Sequence, residues 1–291
     1  MYPGLSKKRF VNMIISVASG KGGTGKTTIA TNLALSLANV QLLDCDVEEP
    51  NAAIFIQPEI ETSEIVSIPI PEIDQVKCNL CGKCVDVCAF NAIAKVKDKI
   101  MVFSDLCHGC GSCTYFCPQN AIKEVHKRIG VVESGAKNNL GFMQGKLDIG
   151  QAMAPPLIKA VKKNIQPDKI NIIDAPPGTS CPVITAITGS DFCVLVTEPT
   201  PFGLNDLKLA VQVLRKMEIP FGVVINRSDL GDESVQDYCN TEDISILMQI
   251  PFSKKIAKAY SRGLPIINEY PEYKAKFKDL YQKIKEKIED A

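Results

Sequence analysis

The sequence predicts an α/β fold with a doubly wound, mostly parallel sheet that is interrupted by an inserted α+β segment. Three observations predict it. Apolar strand-like runs at 192–197, 221–225 and 246–250 alternate with helical patterns such as 204–217, which is typical of parallel sheets with helical connections. A glycine-rich loop separates an early apolar run from a helical one. Two four-cysteine runs interrupt the alternation between residues 61 and 125.

The glycine-rich loop reads GKGGTGKTT and fits the phosphate-binding pattern GxxxxGK[ST]. An apolar run at 13–18 precedes it and a helix-compatible run at 29–38 follows, which is the context that the pattern requires. Glycines let backbone N–H groups converge on a phosphate, and the helix N-terminus adds partial positive charge. We expect Lys26 to contact the β- and γ-phosphates and Thr27 to ligate Mg²⁺; the alternative is a glycine-rich turn without a ligand. The predicted nucleotide-binding loop consists of Gly20, Lys21, Gly22, Gly23, Thr24, Gly25, Lys26, Thr27 and Thr28.

Acidic residues follow two further apolar runs. A run at 40–43 ends at Asp44 and Asp46, and a later run leads to Asp174 and Gly178. Because ligand-binding groups collect at the carboxyl ends of parallel strands, these residues should face the phosphates. We expect Asp174 to help hold Mg²⁺ and the Gly178 N–H to sense the γ-phosphate. The alternatives are solvated loop acids and a plain turn after a buried strand.

Twelve cysteines are many for 291 residues, and eight of them belong to an internal repeat. Residues 78–88 and 107–117 both read CxxCGxCxxxC, and each run is followed by Asn-Ala-Ile. This spacing is that of bacterial two-cluster ferredoxins, in which the fourth cysteine of each run serves the other cluster. One predicted [4Fe–4S] cluster has the ligands Cys78, Cys81, Cys84 and Cys117. The other has the ligands Cys107, Cys110, Cys113 and Cys88.

Zinc and disulfides are the alternative uses of these cysteines. Zinc sites usually take their ligands from two CxxC pairs, whereas these runs overlap and end in CxxxC. Disulfides fit poorly with a long chain that carries an intracellular nucleotide motif. Ala89 stands where a proline commonly follows the fourth cysteine, but this departure removes no ligand. Short strands are expected at 92–96 and 100–103, with Ile93 and Ile122 shielding the clusters from water.

Lys21 is a second lysine, early in the loop, and KGGTGKT resembles the deviant Walker A motif of the MinD, ParA, Mrp and nitrogenase iron protein group. Both acidic segments, Asn226 and the eight-cysteine insert also occur in the expected order. The whole chain therefore resembles the MinD-superfamily P-loop ATPases that contain an inserted ferredoxin domain. The resemblance implies a P-loop ATPase in two parts, 1–60 and 126–291, with a ferredoxin-like domain for two [4Fe–4S] clusters at 61–125.

The same resemblance implies roles for individual residues. Lys21 would cross a dimer interface and contact the partner's nucleotide, so the protein would form an ATP-dependent homodimer. Asp46 would orient the attacking water, and Asp44 would lie beside the Mg²⁺ ligands. The implied catalytic residues are Lys21, Lys26, Asp46 and Asp174. The implied contacts with the nucleotide base are Asn226, Arg227 and Pro251, although an isolated Asn is more often a turn former.

Composition narrows the classes of partner. The 33 basic and 33 acidic residues cancel, which gives no support for nucleic-acid binding. The sequence has no N-terminal apolar leader and no long apolar run, so we expect a soluble cytoplasmic protein. An amphipathic helix is expected at 272–289, with an apolar stripe from Tyr273 to Ile288. Acidic residues among its lysines disfavour membrane binding, and we expect the stripe to pack on the sheet.

The expected function is slow, partner-stimulated MgATP hydrolysis that couples dimer rearrangement to electron transfer through the two clusters toward a redox client. The alternative is an ATP-dependent carrier or assembly protein that hands an iron–sulfur cluster or another metallocluster to a client. A MinD-like positioning ATPase is a third candidate, but it leaves eight cysteines unexplained. Cys181 favours the carrier, since a thiolate beside a charged switch could bind a metal transiently. The other cysteines, Cys45, Cys193 and Cys239, are expected to be small buried residues.

Overall fold

The computed structural model describes residues 13–290. Residues 1–12 and Ala291, which belong to the two predicted ATPase parts, lie outside the described residues. Within the described part the strands and helices follow in the order β1 (Met13–Ser19), α1 (Lys26–Ser36), β2 (Val40–Asp44), α2 (Ala52–Ile56), β3 (Glu59–Ile73), α3 (Lys83–Asp86), β4 (Ile93–Val96), β5 (Lys99–Val102), α4 (Ser112–Tyr115), β6 (Ile122–Lys137), β7 (Leu140–Leu147), α5 (Ala154–Lys162), β8 (Ile170–Pro177), α6 (Cys181–Ile187), β9 (Phe192–Thr197), α7 (Pro201–Lys216), β10 (Phe221–Asn226), α8 (Ser234–Thr241), β11 (Ile246–Ile250), α9 (Lys254–Tyr260), α10 (Ile266–Glu269) and α11 (Glu272–Glu289).

The central sheet has the strand order β11-β10-β9-β1-β8-β2-β7-β6-β3. Neighbouring strands from β11 to β7 run parallel. Only the last two strands of this sheet, β6 and β3, are added antiparallel. The predicted α/β fold with a mostly parallel sheet is confirmed, and β9, β10 and β11 occupy the positions that their apolar runs predicted.

Helices cover both faces of the sheet, which explains why the central strands are apolar on both sides. On one face, buried residues of α5, α6, α7 and α8 share a core with residues of the sheet. On the other face, buried residues of α1, α2, α10 and α11 form a second core with it. All six residues of β9 are buried as a consequence. The chain is therefore wound on both sides of the sheet, as predicted.

The C-terminal helix α11 packs inward. Phe277, Leu280 and Ile284 are fully buried, and the helix lies against α1 and β11. The apolar stripe thus faces the core, as its helical spacing in the sequence predicts. Among residues 13–290, no helix combines the length and the apolar character that crossing a membrane requires.

The two antiparallel strands extend beyond the rest of the sheet. β6 pairs with β7 only from Gly130 onward, whereas its pairing with β3 continues to the Ile73–Ile122 pair. Because β6 runs antiparallel to β7, the extension lies beyond the carboxyl end of β7. We call the segments 67–73 and 122–129 the arm. The arm leaves the sheet at the edge where the carboxyl ends of the parallel strands lie.

The arm carries the cysteine-rich part of the chain at its end. This part, residues 74–121, is called the cysteine unit below; it contains α3, α4 and a separate two-stranded sheet of β4 and β5. The two predicted short strands are present. Ile93, Ile100 and Ile122 are buried in a small core of their own, together with cysteines of both runs. The cysteine unit therefore has a core that is distinct from the two cores of the large sheet.

Candidate functional site: a nucleotide cleft and two cysteine sites

The glycine-rich loop connects β1 to the N-terminus of α1, as the motif predicts. Gly25 immediately precedes α1 and has a φ of 97°, a conformation that side chains disfavour. A Cβ atom on Gly25 would also lie 2.6 Å from the amide nitrogen of Asn226. The positive φ therefore favours glycine here, directly before Lys26 at the first position of the helix.

A cleft of about 410 Å³ opens beside the loop, between the carboxyl ends of β1, β10 and β11. Its volume is within the range of small-molecule sites. We call it the nucleotide cleft. The predicted residues that line it are Gly22, Gly23, Gly25, Lys26, Thr27, Thr28, Asp46, Asn226, Arg227 and Pro251. The predicted residues that do not line it are Gly20, Lys21, Thr24, Asp44, Asp174 and Gly178.

The cleft also contains residues that the sequence analysis did not select. Glu49 and Asn51 reach it from the segment after β2, and Ser253 and Tyr260 reach it from the segment after β11. The side chain of Ser253 caps α9 by accepting the Ile256 N–H. Only their position in the sequence could have indicated these residues, since both segments follow strands whose carboxyl ends were predicted to form the site.

Asp44 supports the segment that follows β2. Its carboxylate is buried and accepts backbone N–H groups from Asp46 at 3.1 Å and from Ala52 at 2.9 Å. Asp174 is its register partner on β8. Burial, followed by repulsion from Asp174, raises the pKa of Asp44 well above its ordinary value. Through these two bonds, Asp44 therefore holds in place the segment after β2 that carries Asp46 to the cleft.

Asp174 is a buried carboxylate without a hydrogen-bond partner for either oxygen among the described residues. Burial raises the pKa of Asp174, whereas the nearby Thr27 hydroxyl and the positive charge of Lys26 lower it. The Thr27 hydroxyl is nevertheless outside hydrogen-bonding geometry. Buried polar groups without partners are rare in native proteins. A carboxylate and a hydroxyl are oxygen ligands of the kind that Mg²⁺ prefers. The residues present therefore fit a magnesium-bound nucleotide.

Asp46 is the half-buried carboxylate that faces the cleft. Burial raises its pKa from 3.8 to about 6, and the positive charge of Lys26 opposes this rise. A carboxylate with a pKa close to neutrality can exchange a proton at physiological pH. Asp46 thus places a carboxylate at the cleft within the field of Lys26.

Two predicted contacts are engaged within the protein in this conformation. The Gly178 N–H donates to the Ser19 carbonyl at 2.9 Å. The Asn226 side-chain amide donates to the Thr24 carbonyl at 2.9 Å. Asn226 therefore supports the glycine-rich loop, and contact between Gly178 and a phosphate would require exchange of its bond to Ser19.

The cysteines of the two runs surround two small cavities in the cysteine unit. The first cysteine site consists of Cys78, Cys81, Cys84 and Cys117. The second cysteine site consists of Cys88, Cys107, Cys110 and Cys113. Each site takes three cysteines from one run and the last cysteine of the other, the same grouping that the spacing predicts. Within residues 13–290, no three His, Cys, Asp or Glu side chains converge on the position of a single metal ion.

Backbone N–H groups point at sulfur atoms in both cysteine sites. The Ala121 N–H donates to Cys117 Sγ at 3.3 Å in the first site, and the Ala92 N–H donates to Cys88 Sγ at 3.3 Å in the second. Ala92 and Ala121 occupy equivalent positions in the two Asn-Ala-Ile segments. Such donors stabilise thiolates and are among the contacts that tune iron–sulfur clusters. Both cysteine sites therefore fit a thiolate-bound cluster.

A family profile described as the CobQ/CobB/MinD/ParA nucleotide-binding domain matches residues 15–266. The chain belongs to the CobQ/CobB/MinD/ParA family. It is thus a member of the MinD/ParA group of P-loop ATPases, which confirms the family resemblance inferred from the loop.

Proteins similar to this chain differ in whether their names state a function. The uncharacterised protein MJ0579 of Methanocaldococcus jannaschii is 32% identical over 257 residues, which cover 86% of this chain and 90% of that protein. The iron–sulfur cluster carrier protein of Pyrococcus abyssi is 26% identical over 298 residues, which cover 95% of this chain and 86% of that protein. Both alignments span most of the chain.

Solved structures of MinD proteins share the fold of this family member. The septum site-determining protein MinD of Pyrococcus horikoshii, complexed with Mg-ADP, superposes with a TM-score of 0.58 at 20% identity. The superposition covers 94% of this chain and 96% of that structure. At this identity the likeness establishes the α/β P-loop NTPase fold.

The remaining cysteines of this MinD/ParA family member fall into two classes. Cys181 is exposed at the first position of α6. Cys45, Cys193 and Cys239 are buried, and burial raises the pKa of the Cys193 thiol to about 12 and that of Cys239 to about 11. Thiols of this kind are inert, so the expectation of small buried residues is confirmed for these three.

Proposed function

We propose that this protein is an MgATP-binding and MgATP-hydrolysing iron–sulfur protein that carries or assembles iron–sulfur clusters for a client protein in the cytoplasm. One observation carries the proposal: the nucleotide cleft and the arm that bears both cysteine sites lie at the same carboxyl edge of one sheet. The names of the iron–sulfur carrier relatives support carriage over the electron-transfer function favoured by the sequence analysis.

In the nucleotide cleft, each residue has a role that follows from its place. The loop N–H groups and Lys26 would hold the phosphates, and Thr27 and Asp174 would hold Mg²⁺. When bound, Mg²⁺ neutralises phosphate charge. Asp46 would orient the attacking water. The base would lie toward Asn226, Arg227, Pro251 and Phe252, which line the cleft at and after the carboxyl ends of β10 and β11.

In the cysteine unit, the first and second cysteine sites would each hold one [4Fe–4S] cluster. The insert, predicted at 61–125, would then be ferredoxin-like. Support comes from the two four-cysteine cavities and from the backbone donors that point at their sulfurs. The two runs exchange their last cysteines, so neither run would complete a cluster alone.

Coupling of the nucleotide state to the clusters would require a change in how two copies of the protein assemble. Lys21 is half-buried at the loop and does not line the cleft of its own chain. We propose that it contacts the nucleotide of a second copy in an ATP-dependent homodimer. Exchange of the Gly178–Ser19 bond for a phosphate contact would report the nucleotide state to α6, which begins three residues later with Cys181.

A second candidate function is ATP-gated electron donation to a redox client. The observation that favours it is the full set of four cysteines at each site, since a complete ligand set retains its cluster. In that case the clusters would be permanent, and only the position of the arm would change with nucleotide.

The deciding experiment measures iron per chain under anaerobic conditions, with a strong chelator, in the presence and absence of MgATP. A carrier is expected to release iron with MgATP, from the cysteine sites or from an additional pool at Cys181. The Lys26→Ala variant is the control and should show no such release, because it cannot hold the phosphates. About eight irons per chain retained in both conditions would instead support electron donation. No iron after reconstitution would overturn both functions.

A further inference from the structure

The two halves of the cysteine repeat carry different charges at equivalent positions. In the CxxCGxC segment, Lys83 of the first half corresponds to Ser112 of the second. Two residues after Asn-Ala-Ile, Lys95 corresponds to Glu124. The first half therefore has two cations where the second half has a hydroxyl and a carboxylate.

The structure places these side chains at different cysteine sites. Lys83 lines the first cysteine site. The Lys95 ammonium donates to the Leu80 carbonyl at 2.6 Å, within the loop that joins Cys78 to Cys81 of that site. At the second cysteine site, Ser112 and Glu124 line the cavity.

Glu124 lies close to the loop of the second site. Its Oε1 atom would be 3.2 Å from a Cβ atom built on Gly111, between Cys110 and Cys113. His108, also at the second site, stacks on Phe90 with ring centroids 3.6 Å apart. The second site thus has a carboxylate at its wall and no lysine or arginine among its lining residues.

The other charges near the cysteine unit do not reverse this contrast. Asp86, Lys97, Asp98 and Lys99 line neither cavity, and among residues 13–290 none of their side chains is hydrogen-bonded to a loop of either site as Lys95 is. The remaining nearby charges are paired, and each pair is neutral overall: Lys77 with Asp74, Lys127 with Asp105, and Lys123 with Glu72.

Reduction of a cluster adds one negative charge. Nearby cations stabilise that charge and a nearby carboxylate destabilises it, and both effects set reduction potentials. We infer that the first cysteine site has the higher reduction potential, so that an electron received by the second site moves to the first. In this step the second site is oxidised by one electron and the first is reduced by one, with no bond made or broken. The inference rests on the proposed presence of two [4Fe–4S] clusters.

The test is an anaerobic redox titration of the full chain, followed by electron paramagnetic resonance. The wild-type protein should give two separate midpoint potentials. Lys95→Gln, which keeps a donor for the Leu80 carbonyl, should lower the higher potential and leave the other in place. Glu124→Gln should raise the lower potential. Lys99→Gln, which removes an exposed charge from the neighbouring strand, is the matched control and should shift neither.

The combined variant Lys95→Glu with Glu124→Lys should narrow the separation or invert it. A single potential in the fully loaded wild-type protein, or a Lys95→Gln shift confined to the lower potential, would overturn the inference. Iron content is measured on the same samples. A protein with about eight irons and equal potentials refutes the inference alone, whereas a protein that binds no iron refutes the proposed function.

Discussion

At the residue scale, Asp46 links the nucleotide cleft to the stability of the fold. Its folded pKa of about 6 exceeds the ordinary 3.8 because the carboxylate is largely desolvated. The folded protein therefore binds this proton more tightly than the unfolded chain does. Stability that is present at low pH must fall as pH rises through the interval between the two pKa values.

We predict that the contribution of Asp46 to the free energy of unfolding of the nucleotide-free protein decreases between about pH 4 and about pH 6. Asp46→Asn should remove about 1–2 kcal/mol of that decrease, a figure already reduced for solvent screening of a half-buried group. Urea unfolding at a series of pH values measures it. A variant with the same pH profile as the wild type would show that the folded pKa of Asp46 is ordinary.

Asn226 supports a second prediction at this scale. Its amide holds the Thr24 carbonyl, and its Oδ1 accepts the Arg227 N–H at 3.0 Å. Asn226→Ala should lower the free energy of unfolding by about 1 kcal/mol and weaken nucleotide binding, as measured by calorimetry. Asn226→Asp keeps the acceptor for Arg227 but loses the donor. If only the alanine variant binds nucleotide poorly, the bond to Thr24 is not the important one.

The sequence predicted residues whose signal is local. The loop lysine Lys26 and the two cysteine sets were predicted from short sequence spacings. In the structure, Lys26 lines the cleft and each cysteine set surrounds one cavity. The bond from Asn226 to Thr24 spans 202 residues, and the bond from Gly178 to Ser19 also joins distant strands. Contacts of this kind depend on how the sheet assembles, which no local pattern encodes.

At the scale of elements, α6 is held at its C-terminal end by a single lysine. The Lys162 ammonium donates to the carbonyls of Thr185, Ala186 and Thr188 at 3.0, 2.7 and 2.6 Å. A cation at this end also complements the helix dipole. These bonds fix the helix that begins with Cys181.

We predict that Lys162→Met lowers the free energy of unfolding by about 1–3 kcal/mol, because it leaves three carbonyls without their charged donor. Chemical denaturation measures the loss. Lys163→Met, at the exposed neighbouring position, is the control and should change stability little. Equal effects of the two substitutions would show that the three bonds contribute nothing specific.

The arm also belongs to this scale, and it was not predicted. The sequence analysis assigned no strand to β3, β6 or β7. In β3, residues 59–65 are exposed and lack a continuous apolar pattern. The pairing of Ile73 with Ile122 joins segments separated by the whole cysteine unit. Strand pairing over such a distance is decided by tertiary contacts rather than by propensity.

This pairing leads to a prediction. Replacing residues 74–121 by an Asn-Gly turn should leave the large sheet folded, because the ends of the removed unit are already register partners and this dipeptide suits a hairpin. The shortened protein should bind MgATP and no iron. Loss of nucleotide binding would show that the sheet depends on the cysteine unit.

At the scale of the whole molecule, the proposed homodimer depends on Lys21. Lys21→Ala should keep nucleotide binding, since the residue does not line the cleft of its own chain, and should lose ATP-induced dimerisation. Light scattering with and without nucleotide measures the assembly, and Lys26→Ala serves as the variant that loses both properties. A Lys21→Ala protein that dimerises with ATP would exclude the role across subunits.

The geometry of the arm has a mechanical consequence. A register irregularity between Val66 and Ser67 lies where the arm leaves β7, opposite Gly130. Such irregularities bend strands. Eight residues of β6 lie beyond this point, a length of about 26 Å at the usual rise per residue. Over such a length, a rotation of about 5° displaces the tip by about 2 Å. Small rearrangements at the carboxyl edge of the sheet would thereby be magnified at the cysteine unit.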